Sequence, residues 1–360
     1  MSRLFRLAFA SAAFSLVSAI PPAEGLRIFF IDVDGGAATL VVTPERESIL
    51  IDTGWPGFDD RDPNRIVHAL KDVAGLDHID HLVITHWHVD HFGGVEGLAK
   101  LVEIKNFWDR GLPEDDPSNK DFPDGPKADD PLGIAYRKAS AGKRKALKPG
   151  DTLPLKGAIQ AVVVTASGAV YQQDKPTNAP TNSACESAPP DQAVDGSDNA
   201  RSVSILFRLG TFEFLACGDL TWNIEKKLIC DVDRIKLTAP SGSQATAVDV
   251  FQVTHHGSDS SNNPALIRTI EPTVAVMNNG PRKGGAAATV RTMKSQPSIQ
   301  AFYALHKNVA TPPADNADPA LTANGSSSSG TFVQVQVAPD AGAYDVRIGE
   351  NGEPRTFKTR

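Results

Sequence analysis

The chain has 360 residues, enough to bury a large core, and 41% of them are hydrophobic while 22% are charged. The formal net charge of -7 argues against strong general affinity for a nucleic-acid backbone, because such binding needs a basic surface. A small-molecule or phosphodiester substrate remains compatible with this charge, since bound metal ions supply local positive charge.

The first 19 residues are typical of a secretory signal peptide. Arg3 and Arg6 form a short basic region, an apolar stretch follows over 7–17, and Ala19 offers a small residue for cleavage. The apolar stretch is short for a membrane span. We therefore expect a secreted or periplasmic protein with no membrane span once the signal is removed. An uncleaved anchor is the alternative. The three cysteines permit one disulfide bond, but the sequence does not select the pair.

Composition divides the rest of the chain. A main domain is predicted over 24–310, with a polar insertion at 111–150 and a long loop at 166–200. Low complexity predicts a flexible segment over 311–330, and alternating valines predict a terminal β-hairpin and tail over 331–360.

Within the main domain, apolar strand patterns alternate with helical ones, which predicts an α/β protein. A strand is expected over 26–32, a helix over 64–73 and a short buried strand over 80–84. Further strands are expected over 211–217 and 248–253. The last three strands all end next to residue types that can bind metals. The carboxyl ends of strands commonly carry ligand-binding and catalytic residues in α/β proteins.

The residues at these strand ends are imidazoles and carboxylates. They are His86, His88, Asp90 and His91, then Asp219, then His255 and His256. Such donors suit zinc, with manganese or iron as alternatives. A bridging carboxylate can hold two cations close enough to share one hydroxide, and Asp219 suits that role. The pattern therefore predicts a binuclear metal site, for which two zinc ions are expected.

The segment from His86 to Gly94 resembles the HxHxDH signature of the metallo-β-lactamase superfamily. The motif at 217–219 resembles the later bridging aspartate of that superfamily. The segment 255–258, together with 30–33 and 49–54, resembles the competence-protein (DNA-uptake) branch, and the likeness covers roughly 26–306 apart from the insertion. The resemblance implies an αβ/βα four-layer sandwich, with the metal site at the edge between two β-sheets.

The resemblance also implies a role for each site residue. His86 and His88 would hold the first metal ion, and Asp90 and His91 the second. Asp219 would bridge both ions, and His255, the first of its pair after the strand, would complete the second position. Asp90 and His256 are the expected catalytic residues, with His256 as a proton donor to the leaving group.

Two departures from the superfamily pattern matter. Many members have another histidine before the strand that leads to the bridging aspartate, but residues 196–202 contain none. An oxygen from Asp198 or Asn199, a water molecule or a single-metal site would each answer this gap. Beyond residue 277, competence-type domains often have a Gly-His-Pro element, whereas this chain has Arg282 and Lys283 among glycines. These two residues are expected to bind substrate anions, together with His306.

The prediction is a secreted metal-dependent hydrolase that uses a metal-bound hydroxide, with a phosphodiester as the expected substrate class. One alternative is an ester, lactone or β-lactam hydrolase of the same fold. Another is a secreted binding or sensing module with an impaired metal site, suggested by the missing histidine.

Overall fold

The computed structural model describes residues 24–115, 125–172, 181–238, 247–325 and 329–360, so the expected signal peptide lies outside the described residues. Seventeen strands form two mixed sheets in this part of the chain. The first sheet has the order β17-β16-β15-β1-β2-β3-β4-β5-β6, and the second has the order β14-β13-β12-β11-β10-β9-β7-β8.

The strands of the first sheet come from both ends of the chain. They are β1 (Arg27–Phe30), β2 (Thr39–Val42), β3 (Ser48–Ile51), β4 (His78–Val83), β5 (Glu103–Asp109), β6 (Arg144–Ala146), β15 (Val333–Val337), β16 (Ala343–Ile348) and β17 (Arg355–Lys358). The strands of the second sheet are β7 (Gln160–Ala166), β8 (Ala169–Val170), β9 (Ser204–Leu209), β10 (Phe212–Ala216), β11 (Val250–Gln252), β12 (Val274–Met277), β13 (Ala301–His306) and β14 (Thr322–Asn324).

Helices cover the outer face of each sheet. Those on the first sheet are α1 (Arg61–Val67), which continues as a π-helical stretch over His68–Val73, α2 (Val89–Phe92), α3 (Val95–Leu101) and α4 (Pro131–Ser140). Those on the second sheet are α5 (Trp222–Ile229), α6 (Arg234–Leu237), α7 (Pro264–Ile270) and α8 (Ala287–Ser295). No helix among the described residues is both long and apolar enough to span a bilayer.

The side chains of each strand alternate between two cores. Phe30 packs with Phe214 of the opposite sheet, and its neighbour Phe29 packs in the core beneath α1 and α3. Phe251 faces a third core, shared with α5, α7 and α8. Burial on both faces explains why these strands are apolar without interruption. The resulting helix–sheet–sheet–helix sandwich confirms the predicted four-layer α/β fold.

The C-terminal residues are built into the sheets. β15 pairs with β1, and β16 and β17 extend the same sheet, so a three-stranded edge stands where a hairpin and tail were expected. Within the segment 311–330, the flexible description is wrong for residues 322–324, which pair with β13 as β14. The buried amide of Asn324 holds this strand by donating to the carbonyls of Leu305 and Thr331, at 3.0 and 2.8 Å.

Candidate metal centre

The His86–His91 segment follows the end of β4, which lies between β3 and β5 in the first sheet. Leu82 and Val83 are fully buried in the strand, and the chain then leaves the sheet through Thr85. His88 precedes the first turn of α2, which carries Asp90 and His91. His86 and His91 are fully buried and His88 is half-buried. The strand end and the short helix thus present four donor groups to one side.

These donors form two groups around Asp219. Donor atoms of His86, His88 and Asp219 lie within 4.8 Å of one another, and so do those of Asp90, His91 and His256. Asp219 follows β10, the neighbour of β11 in the second sheet. Its Oδ2 lies 3.3 Å from Nε2 of His91, 3.3 Å from Nε2 of His256 and 3.8 Å from Nε2 of His86. One carboxylate oxygen therefore stands between the two groups.

His256 occupies the place that the sequence analysis assigned to His255. Nε2 of His256 lies 3.2 Å from Oδ2 of Asp90 and 3.2 Å from Nε2 of His91. His255 contacts the other side of the site, with Nε2 3.5 Å from Oδ2 of Asp219. Both residues have positive φ, 54° and 53°, so the backbone turns left-handed after β11 and sends the two rings in different directions. Order along the chain was therefore a poor guide to which ring enters the second group.

Hydrogen bonds hold the imidazoles by their outer nitrogens. Nδ1 of His91 lies 2.7 Å from Oδ2 of Asp52, and Nδ1 of His256 lies 3.0 Å from the carbonyl of Asn278. A histidine whose Nδ1–H is donated in this way presents the unprotonated Nε2 to a metal. Asp52 also accepts from the Thr85 backbone N–H at 2.8 Å. The sequence analysis missed the partnership of Asp52 with His91, although its position at the end of β3, parallel to β4, was a usable signal.

The electrostatics of this cluster favour a cation. Burial opposes charge on Asp219, but the imidazoles of His256, His91 and His255 outweigh it and hold the pKa of the carboxyl well below its usual range. Burial also opposes charge on His91, yet Asp219, Asp90 and Asp52 raise its pKa well above the ordinary value. His86 lies mainly under the influence of burial, which lowers its pKa strongly. Buried carboxylates thus dominate the second group, whereas burial keeps the imidazole of His86 in the first group neutral.

The segment without the expected histidine is tied to the fold by Asp198. Its carboxylate makes a two-pronged ion pair with the buried guanidinium of Arg110, with Nε at 2.9 Å, and accepts from the backbone N–H of Trp87 at 2.7 Å. These bonds orient the loop between His86 and His88, so Asp198 is not the oxygen ligand considered above. Asn199 comes next in the chain, and its Nδ2 lies 3.3 Å from Nε2 of His255.

The three predicted substrate-binding residues have different surroundings. Lys283 lies at the second group, where its Nζ contacts Oδ2 of Asp90 and sits 4.9 Å from the ring centre of Trp55. Arg282 is exposed to solvent. His306 is fully buried, with Nε2 2.7 Å from Oδ1 of Asp32, and cannot touch a substrate. The prediction for His306 is therefore wrong, because its ring is fully buried against Asp32.

A third group of possible ligands lies beside this one. It consists of Asp32, Asp34 and His306. Arg65 lies 3.3 Å from Asp32, and Arg61 lies 2.5 Å from Asp34. Protein cations already balance these carboxylates.

Comparison with known proteins is consistent with this geometry. Residues 31–155 match the sequence model of the family described as the metallo-beta-lactamase superfamily. ComE operon protein 3 of Bacillus subtilis (strain 168) is 25% identical over 266 residues, which cover 71% of this chain and 28% of that protein. Beta-lactamase-like protein 2 homolog of Caenorhabditis elegans is 37% identical over 66 residues, which cover 18% of this chain and 21% of that protein. The aligned regions thus amount to less than a third of either relative.

Among solved structures, the zinc-bound PqqB of Methylobacterium extorquens is 12% identical, with a TM-score of 0.41 and coverage of 79% of this chain and 98% of that one.

Proposed function

We propose that the chain, whose residues 31–155 match the model of the metallo-beta-lactamase superfamily, is a hydrolase that works with two bound zinc ions on phosphodiester substrates. One observation carries the proposal: two groups of imidazoles and carboxylates meet at a single oxygen of the buried Asp219. Imidazole nitrogens and carboxylate oxygens at these positions are the donors that zinc prefers.

The donor set fits such ions. His86 and His88 would hold the first, Asp90, His91 and His256 would hold the second, and Asp219 would bridge them. Bound zinc supplies an activated water and stabilises negative charge on the attacked centre. The outer hydrogen bonds of His91 and His256 keep those two rings in the tautomer that a metal requires.

Lys283 supports an anionic substrate. Its side chain is 38% exposed and places the ammonium group beside Asp90, at the rim of the second group. When Asp90 is engaged by a cation, this ammonium group becomes available to a phosphate oxygen. Trp55 below it offers a flat apolar surface to the rest of the substrate. A phosphodiester joins a negative charge to an organic group, which suits this pair better than a neutral ester does.

Export also forms part of the proposal. The N-terminal pattern of basic, apolar and small residues supports it. A disulfide bond between Cys185 and Cys230 adds independent support, because such bonds persist in oxidising compartments. Mass spectrometry of the protein from the exporting host would place the mature N-terminus near residue 20, whereas an intact Met1 would contradict cleavage.

The substrate class can be tested with zinc-loaded protein and four chromogenic probes: a phosphodiester, a carboxylic ester, a lactone and a cephalosporin. We expect turnover of the diester above all. Lys283→Ala should raise KM for the diester by about tenfold with less effect on the ester, because it removes a charge–charge contact. Arg282→Ala is the matched control, one residue away and exposed. Turnover of the cephalosporin or lactone without diester turnover would sink this choice of substrate.

A further inference from the structure

The first group is short of one protein ligand by comparison with the second. It draws on His86 and His88 before the shared Asp219, whereas the second draws on Asp90, His91 and His256. Catalytic zinc sites use three protein ligands and one open position for water or substrate, a count that the first group reaches only by including the shared Asp219. A further donor near His86 would make the two positions equivalent in protein ligands.

His255 is the imidazole beside Asp219 that neither group includes. Its side chain is 17% exposed, and its Nε2 lies 3.5 Å from Oδ2 of Asp219. Nε2 of His86 approaches the same oxygen at 3.8 Å. Both rings therefore face the carboxylate that borders the first group.

Hydrogen bonds fix the tautomer of His255. Nδ1 lies 3.1 Å from the hydroxyl of Ser261, and that hydroxyl donates its own proton to the carbonyl of Leu220 at 2.7 Å. Ser261 therefore accepts from Nδ1, which also lies 3.2 Å from the hydroxyl of Ser260, while Nδ2 of Asn199 faces Nε2 as a donor, so the ring proton sits on Nδ1. Nε2 is left with its lone pair directed at Asp219, as a metal ligand requires.

The surroundings of Nε2 show a second sign of an absent ligand. Asn199 is 8% exposed and places Nδ2 3.3 Å from Nε2 of His255. Its Oδ1 is buried and has no hydrogen-bond partner among the described residues. A buried amide oxygen without a partner is costly. A metal ion, or water bound to one, would give this oxygen a partner; with the amide turned over, Oδ1 rather than Nδ2 would face the same ion as the lone pair of His255.

The backbone is consistent with a functional placement of both rings. His255 and His256 have positive φ in succession, an arrangement that costs on the order of 1 kcal/mol or more per residue and concentrates at functional sites. The left-handed turn is anchored by the His255 N–H, which donates to the carbonyl of Gly218 at 3.0 Å, next to Asp219.

We propose that His255 is the third imidazole of the first metal position, replacing the histidine that residues 196–202 lack. Each position then has three side chains, and Asp219 lies between them. The inference rests on the proposed function in one respect, since it takes both groups as metal positions. It does not depend on the substrate.

The test is a count of zinc ions in single and double variants after dialysis, with affinities from competition against a chromogenic chelator. Wild-type protein should hold about two ions. His255→Gln should retain one and bind the other on the order of 100-fold more weakly. His88→Gln/His255→Gln should still retain one ion, because both changes affect the same position. His255→Gln/His256→Gln should retain none.

Several results would overturn the inference. They are two ions of wild-type affinity in His255→Gln, loss of both ions from that single variant, or the reverse pattern in the two double variants. His68→Gln, at an exposed histidine, is the matched control and should hold two ions. Far-ultraviolet circular dichroism verifies folding. If wild-type protein binds no zinc, the proposed function falls as well, whereas an altered pattern in the variants alone refutes only the role of His255.

A measurement on wild-type protein keeps the test decisive if a variant fails to fold. With ¹⁵N-labelled histidine, the Nε2 resonance of His255 should shift upfield as the first metal position fills with zinc. An unchanged resonance at two bound equivalents contradicts the assignment.

Discussion

Two clusters of aspartate and histidine lie close together in this protein, and they differ in how their charges are balanced. Around Asp219, several imidazoles converge on the buried carboxylates of Asp90 and Asp219, and the ammonium group of Lys283 contacts Asp90 at the rim. Around Asp32, the guanidinium groups of Arg65 and Arg61 accompany the carboxylates. Spacing alone does not distinguish the two clusters. We expect a metal ion where imidazoles converge on buried carboxylates, rather than where guanidinium groups already pair with them.

The largest effect is expected at the carboxylate that both groups share. Asp219→Asn removes its charge while preserving its shape, so bound zinc should fall below one ion per chain. Hydrolysis should fall by at least about 10³-fold. Elemental analysis and diester kinetics measure these effects. Two ions and normal turnover in this variant would erase the difference between the two clusters.

Substitutions in the cluster around Asp32 should instead lower the stability of the folded protein. His306→Leu leaves the buried Asp32 with fewer partners, so we expect the free energy of unfolding to fall by about 2 to 3 kcal/mol with no change in zinc content. Urea denaturation gives this value. His68→Leu, at a half-exposed histidine bridging Asp72 and Glu350, should change it by less than about 0.5 kcal/mol. Loss of zinc from His306→Leu would show that the clusters are not separate.

A smaller effect is expected from the carboxylate behind His91. Asp52→Asn weakens the hydrogen bond that orients Nδ1 of His91, so zinc affinity at the second position should fall by about 10- to 100-fold. Chelator competition resolves the two ions. Equal weakening of both ions would contradict a role confined to His91.

The smallest effect is expected in how the free energy of unfolding changes at acidic pH. Burial opposes charge on Asp32, but the hydrogen bond and charge of His306, together with the Asp34 N–H and Arg65, outweigh it and lower the pKa of the carboxyl below its ordinary value of 3.8. A lowered pKa means that the carboxylate stabilises the folded state above that ordinary value, and the contribution is lost as pH falls through the folded-state pKa. Unfolding free energies between pH 6 and 3 should therefore decline less steeply in Asp32→Asn. An identical decline in the wild-type protein and in Asp32→Asn would contradict a stabilising interaction between Asp32 and His306.

The sequence was most informative where structure is local. The run from Leu82 to Ile84 predicted a buried strand, and the spacing from His86 to His91 predicted the turn and donors at its end. Both depend on neighbours in the chain, which alternate along strands and cluster in short helices. The same patterns predicted an α/β protein, and the family resemblance implied its four layers.

Other assignments depended on contacts between residues far apart in sequence. His306 looked available at a strand end, but its partner Asp32 lies 274 positions away in β1's following loop. Asp198 was considered as a metal ligand from the sequence, but in the structure its carboxylate is paired with Arg110, 88 positions earlier. No local pattern signals such pairs.

The sequence by itself therefore determined which donors exist and which strand ends carry them, because hydrophobic periodicity and turn residues act over a few positions. Tertiary structure decided how the donors divide into groups. The exchange of roles between His255 and His256 is the clearest instance. Two successive positive φ angles, stabilised by the fold around them, point one ring at Asp90 and the other at the outer side of Asp219.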